Sequence, residues 1–563
     1  MIRMIYKYRF LVGSFCFPFS LWAQNAPQIV AKAPSDAYIG LSKMENGEIR
    51  HYNYGEQHQE GCFYISSKDN GTTWEKIELD NTVYFADNRN PLTNTMVRLF
   101  NHGKGVYCIR YNASENGTKN ISKITDKALI MLKPPVFIRG GKRILVATHY
   151  AGPDKEKNSG ARVLYSDDDG ITWKESEKVN TPRHKKEGFH QGVRWNHGAV
   201  EPTVIELNDG RIWMIMRTPQ DSHYQSFSYD GGETWSTPTP APFYATITMP
   251  TLTRLNDGRL LFVWNNTTPL PELASANGVW DDVFTNRNVL HAAISEDDGK
   301  SWIGCRELFL DERRNAVDFA DSKGIDKSVH QTQCVETEDG NIVMAIGQHD
   351  LHRKIIRFNP AWLYETERSD NFGNGLADWS TFQYYKGIKG HCGYNRKEGG
   401  SLNPHPYKSN ARVLNLKHIP NDSLLYAGEG ALWNFPALKK GSFTTSIRIP
   451  ENSKGGELIL NDRWFNPTDT TAVWFSSYSL PLQRETLGIK DDAFHTIRIE
   501  WNLIGNETVA SVFVDKQKKP TVLLPLKNTV QHGISYVHFL SAKSSDPVGF
   551  DVEKVESKSL QRK

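Results

Sequence analysis

The chain has 563 residues, 38% of them hydrophobic and 23% charged, which is long enough for two or more domains with sizeable cores. Its formal net charge is +3, and Arg3, Lys7 and Arg9 all fall in the first 24 positions, so the remainder is close to neutral. That balance leaves no electrostatic footprint for nucleic acid or an anionic membrane surface, and it confines any attraction for an anionic ligand to a local site.

Residues 1–24, MIRMIYKYRFLVGSFCFPFSLWAQ, read as a secretory leader. A basic start precedes the apolar run Phe10–Leu21, and Ala23 supplies the small residue before a cleavage point at Gln24. Bulky Phe15 before Cys16 argues against a lipoprotein signal. No second apolar run is long enough to span a membrane. The expectation is a secreted or periplasmic protein. Beyond the leader, Cys62, Cys108, Cys305, Cys334 and Cys392 are odd in number and show no C-x-x-C or zinc spacing, so buried free thiols are expected.

From about residue 35 the chain repeats itself. SKDNGTTW (67–74), SDDDGITW (166–173), SYDGGETW (228–235) and SEDDGKSW (295–302) share Ser, Asp, Gly, Thr or Ser, and Trp at one spacing. Asp and Ser side chains bond a tight turn, Gly takes the positive-φ position, and Trp plugs the sheet edge. A second repeat of strand, glycine turn and strand runs through LSKMENGEIRHY, VFIRGGKRILVATHY, TVIELNDGRIWMIMRT, TLTRLNDGRLLFVWNN and CVETEDGNIVMAIG. MVRLFNHGKGVYCIRYN is read as a sixth, degenerate copy. Six hairpins at roughly 55 residues each match four-stranded blades, so the fold class is all-β: a six-bladed β-propeller, with seven blades as the alternative. It should occupy residues 25–365. Residues 370–563 lose the turn motif and keep alternating strands (GSFTTSIRIP, TAVWFSSYSL, FHTIRIEWNL, TVASVFVDKQ), which predicts a β-sandwich of jelly-roll type.

The Ser-x-Asp-x-Gly-x-Thr-Trp segments resemble the Asp boxes (BNR repeats) of sialidase-like propellers over residues 35–360, and "FHTIRIEWN…ASVFVD" resembles concanavalin or LamG-like sandwiches. The first resemblance implies a carbohydrate-active enzyme whose Asp boxes lie away from the working face. Fold does not by itself imply function.

Counting from the turn glycines places the candidate site residues. Glu201 stands nine residues before Gly210, Gln331 nine before Gly340 with His330 beside it, and Met249 nine before Gly258. The exits of the second strands carry His149 and Tyr150, Arg217, Asn265, and Arg110 with Tyr111. Arg287, His197, His223 and Tyr224 flank the same end. His149, His197, Glu201, His330, Tyr150 and Tyr224 are the catalytic candidates, and Arg217, Arg287, Gln331, Arg110 and Asn265 the substrate-binding ones. Such a mouth suits an anionic sugar, so an acidic oligosaccharide is the expected partner. Neither nucleic acid nor a cofactor is expected. His349-Asp350-x-His352 is a poor metal site, because strand geometry turns adjacent side chains to opposite faces.

The sialidase resemblance implies that Glu201 activates a tyrosine nucleophile and that Arg217 and Arg287 hold a carboxylate. The rest departs from that pattern. Asp36-Ala37-Tyr38-Ile39-Gly40 replaces Arg-Ile-Pro, only Glu56 or Glu60 could stand in for the acid, and His330-Gln331 fills the tyrosine position. Arginines with histidines and tyrosines nearby fit β-elimination on a uronic acid, by a lyase or a dehydratase. The carboxylate is neutralised, a base takes the C5 proton, and the C4 oxygen leaves. Leader, Asp-box propeller and jelly-roll together resemble the uronate-oligosaccharide dehydratases of marine ulvan-utilisation loci. The alternative is an exo-glycosidase of sialidase type acting on a terminal acidic sugar.

Overall fold

The computed structural model describes residues 25–34, 40–53, 63–78, 88–112, 120–127, 129–150, 160–185, 198–267, 287–317, 328–347, 353–388, 394–505 and 508–561. Nearly every regular element in them is a β-strand. The described residues between 28 and 358 form six antiparallel sheets, blades 1 to 6, which begin at Leu41, Asn88, Leu129, Val200, Thr251 and Gln333. Blade 6 is completed by the chain's first strand, Gln28–Lys32, which pairs with Lys354–Phe358 and so ties the two ends of the ring together.

Apolar clusters fill the spaces between blades 2 and 3, 3 and 4, 4 and 5, 5 and 6, and 6 and 1. An Arg89–Glu45 ion pair of 2.8 Å spans blades 1 and 2. The second strand of a blade is covered on both faces by its neighbours, so it loses the alternation of a half-exposed strand. Ile212–Arg217 and Leu260–Trp264 are accordingly buried throughout.

Each Asp box forms the turn that its residue types dictate. In blade 4, Ser228 Oγ donates to Asp230 Oδ1, the Gly232 N–H donates to Ser228 Oγ, and Thr234 Oγ1 donates to Asp230 Oδ2. The boxes of blades 1, 3 and 5 repeat these contacts, and their tryptophans (Trp74, Trp173 and Trp302) donate Nε1–H to the turn-glycine carbonyl. The Asn208 N–H donates to Asp298 Oδ2 of the next blade's box at 2.8 Å, so inner turns and boxes share one end of the ring.

Blade 2 departs from the sequence reading. The bridge Arg89↔Met96, with Asn90 N–H donating to Thr95 O and Val97 N–H to Asn88 O, makes residues 88–90 its inner strand. The inner turn is therefore Pro91–Asn94, and Asn94 at φ +62° stands where other blades have Gly210, Gly258 or Gly340. Val97 packs on Gly170 of the neighbouring box, as Trp213 packs on Gly299 and Val343 on Gly71, each three residues past its turn. The glycine turn at 103–105 joins the second and third strands instead, at the opposite end. A glycine marks a tight turn without saying which of a blade's turns it is.

The C-terminal region stacks an eight-stranded sheet on a five-stranded one across a shared apolar core containing Trp379, Trp433, Phe443, Phe539 and Phe550. It rests against blade 5. Trp464 N–H donates to Asn266 O at 2.9 Å, and Asn266 Nδ2 donates to Asp462 O at 2.8 Å. Tyr536 OH donates to Glu307 at 2.9 Å. Cys108, Cys305 and Cys334 are free thiols; Cys62 and Cys392 lie outside the described residues.

Candidate active site

At the end of the ring away from the Asp boxes, the inner strand of blade 4 starts with a break. Val200 pairs with Arg217 and Thr203 with Ile215, so Glu201 and Pro202 are extra residues in the ladder. Pro202 has no N–H to give, and Glu201 sits at φ +46°. Gln331 (φ +61°) and Met131 (φ +53°) hold the equivalent positions in blades 6 and 3. Such a backbone costs about 1–3 kcal/mol per residue. Its recurrence makes it a property of how inner strands begin, and a bulge re-aims the side chain it carries.

Glu201 is thereby turned onto Arg217, whose Nη1 donates to Glu201 Oε2 at 2.8 Å with both side chains buried. Burial alone would raise the carboxyl. The Arg217 guanidinium beside it more than offsets this, holding Glu201 at about 2. Glu201 is thus an anion at neutral pH and not a proton donor.

His149, from the exit of blade 3, accepts the Glu201 N–H at Nδ1 over 3.2 Å. His330 faces the Met249 N–H with Nδ1 (3.4 Å) and Arg287 Nη1 with Nε2 (3.3 Å). A neutral imidazole accepts at one nitrogen only, so one of these two contacts is a hydrogen bond and the other an approach. Arg287, 1% exposed, also donates through Nη2 to Ile247 O at 2.5 Å. Gln331 is 6% exposed, and among the described residues its Oε1 has no partner; Asn265 donates to Val289 O, and its buried Oδ1 has none among them.

Three candidates fall elsewhere. Arg110 lies at the Asp-box end, donating through Nε to Asp169 O at 2.6 Å, because the glycine turn used to count its register belongs to the outer hairpin. Tyr150 follows His149 on one strand, so it faces the opposite way and packs with the core between blades 2 and 3. Tyr224 sits on the third strand against the core between blades 3 and 4, where burial raises its phenol further. His223 likewise turns toward blade 5, edge-on to Phe262. His197, and with it Tyr38, Glu56, Glu60, His349, Asp350 and His352, lies outside the described residues. Among the described residues no group of three or more His, Cys, Asp or Glu is arranged to hold a metal ion.

One residue was missed. Lys133 follows Met131 in blade 3, where Pro134-Pro135 interrupts the inner strand between Leu129–Ile130 and Val136–Ile138. Its Nζ reaches across to Met249 Sδ of blade 5, 2.6 Å away. Burial lowers its ammonium and the Glu201 anion opposes that, leaving it at about 8. Below it a cavity of about 250 Å³ runs between blades 1, 2, 3 and 6, lined by Ser42, Lys43, Arg98 and Gln333 among others. The Pro-Pro pair was the available signal: it predicts a broken strand, and a broken strand frees a side chain.

Residues 118–344 match the protein family described as a BNR repeat-like domain, and three of the four Asp boxes lie inside that span. Among solved structures, Trypanosoma rangeli sialidase aligns at 12% identity over 94% of this chain and 92% of its own, with a TM-score of 0.33. The intramolecular trans-sialidase from Ruminococcus gnavus aligns at 14% identity over 61% and 96%, with a TM-score of 0.36. A protein of unknown function from Dyadobacter fermentans aligns at 16% identity over 59% and 96%, with a TM-score of 0.35.

Proposed function

We propose that this protein is a carbohydrate-active enzyme that cleaves acidic sugar chains by β-elimination at a uronic acid. The observation that carries this reading is the buried convergence of Arg217 and Arg287 with His149 and His330 around an ionised Glu201, drawn from blades 3, 4, 5 and 6. Two guanidiniums in a poorly solvated site neutralise a substrate carboxylate and stabilise the charge that builds on it when C5 loses its proton. Glu201 keeps Arg217 in place and restrains its charge. The unpartnered amide oxygens of Gln331 and Asn265 suit sugar hydroxyls.

The proton leaves C5, its electron pair forms the C4=C5 double bond, and the C4–O bond breaks with the oxygen taking up a proton. A sugar at C4 makes the reaction a lyase step, and a hydroxyl makes it a dehydration. The leader and the Asp-box propeller followed by a sandwich support secretion and a place in the breakdown of uronate-rich algal polysaccharides such as ulvan.

Incubation with oligosaccharides ending in glucuronate is expected to produce ultraviolet absorbance from the conjugated product. Release of a saturated terminal sugar without that absorbance would instead support the second reading, a sialidase-type hydrolysis, which the Glu201–Arg217 pair also favours.

A further inference from the structure

We propose that Lys133 is the base that removes the C5 proton in this reaction. The inference rests on the elimination reading and goes beyond it by excluding His149 and His330 from that role.

A base must present a free lone pair within hydrogen-bond reach of the proton it takes. His149 has its acceptor nitrogen turned onto the Glu201 N–H, so in the neutral ring its Nε2 carries the hydrogen. His330 is met by a backbone N–H at one nitrogen and by the Arg287 guanidinium at the other, so its lone pair is also faced by a donor. Protonating either ring would set an N–H against an N–H. Both histidines therefore act as fixed neutral rings that orient Glu201 and Arg287.

Lys133 differs in each respect. The proline break releases it from the blade-3 ladder, and its Nζ ends against a thioether, which holds an amine only weakly. It lines the cavity and lies close enough to Glu201 to feel its charge, and the proposal places a substrate whose carboxylate meets Arg217 and Arg287 with its ring beside the amine. Among the described residues, the titratable and charged groups around it are Glu201, with Arg217, His149 and His330 gathered on that carboxylate, and Lys43 and Arg98 along the cavity. Enclosure leaves the amine at about 8, so a substantial share is neutral under mildly alkaline conditions.

The step balances on one nitrogen. The Nζ lone pair takes the C5 proton, the C–H pair becomes the C4=C5 bond, the C4–O pair departs with oxygen, and the ammonium returns its proton to that oxygen. This route needs C5–H and C4–O on the same side of the ring, as in glucuronate.

The test uses the whole chain with glucuronate-ended oligosaccharides, comparing wild type with Lys133→Ala and Lys133→Arg. Circular dichroism and thermal unfolding serve as fold controls. The expected result is a loss of kcat of about 10²–10⁴ in both variants with KM little changed. The wild-type rise in kcat near pH 8 should disappear in Lys133→Ala, and added small primary amines should restore part of its rate. Unchanged kcat, a persisting rise near pH 8, or lost activity in a folded variant that no amine restores would each overturn the assignment, with the elimination reading intact. If wild type forms no unsaturated product on such substrates, the elimination reading falls and the assignment with it.

Discussion

Glu201 and Arg217 are worth most to the protein as a pair. Removing one partner of a buried ion pair strands the other charge, at a cost of about 3–5 kcal/mol. Glu201→Gln should therefore lower the melting temperature and abolish most activity, whereas Arg217→Lys should spare the fold and weaken substrate binding, since one ammonium cannot replace a two-pronged guanidinium. Thermal unfolding and KM measured side by side check this. The Glu201 carboxyl stands at about 2, below its usual 4.5. Its contribution to stability is therefore complete above pH 4.5 and is lost as pH falls toward 2. In Glu201→Gln that part of the acid denaturation curve should flatten. His149 and His330 were identified from the chain by position alone. Their hydrogen-bonding states were not legible there, because the donors facing them, Glu201 N–H, Met249 N–H and Arg287, come from other blades.

At the scale of elements, the Asp boxes are self-contained. Asp230 is raised by burial and lowered by more through Thr234, Ser228 and Glu233, which hold it at about 2. Asp230→Ala removes the bonds from these three residues and should cost about 1.5–4.5 kcal/mol, at about 0.5–1.5 per partner, with kcat unchanged; urea unfolding and activity assays separate the two effects. Arg110→Ala belongs to the same end of the ring and should likewise leave kcat and KM at wild-type values. A drop in kcat would return Arg110 to the site. The boxes were readable from sequence because each contains its own donors, acceptors and glycine. Blade 2 was misread because its inner turn lacks glycine and its outer turn has two, Gly103 and Gly105, so a local motif pointed at the wrong hairpin.

Across the whole molecule, the ring and the sandwich meet through a polar seam on blade 5. Glu307 accepts from Tyr536, whose oxygen also contacts His291 Nε2. Burial pushes the Glu307 carboxyl up to about 7, against the opposing pull of Arg368 and the Tyr536 hydroxyl. The folded protein therefore keeps a proton that the unfolded chain releases above pH 4.5, and stability contributed here declines as pH rises from 4.5 to 7. Glu307→Gln should lessen that decline, as read from melting temperatures across the window. An unchanged slope would show that the seam does not titrate. Because Asn266 and Trp464 join the sandwich to the segment just past Asn265, Trp464→Ala should disturb both the melting transition and substrate affinity.

Whatever is written in short range was legible in the chain alone: four Asp boxes, most of the inner hairpins, an all-β chain, and the change of pattern near residue 370. These follow from side chains that satisfy their own turn or from alternation along one strand. Only the tertiary structure decided which residues meet at the centre. A ring brings one side chain from each of several blades to a common point, and a single bulge or a misassigned turn rotates a residue out of it. Thus Arg110 left the site, Tyr150 and Tyr224 turned to the cores between blades, and Lys133 entered through a proline break. Glu201 became a fixed anion for the same reason: its charge state is set by Arg217 sixteen residues away, on the next strand of the blade.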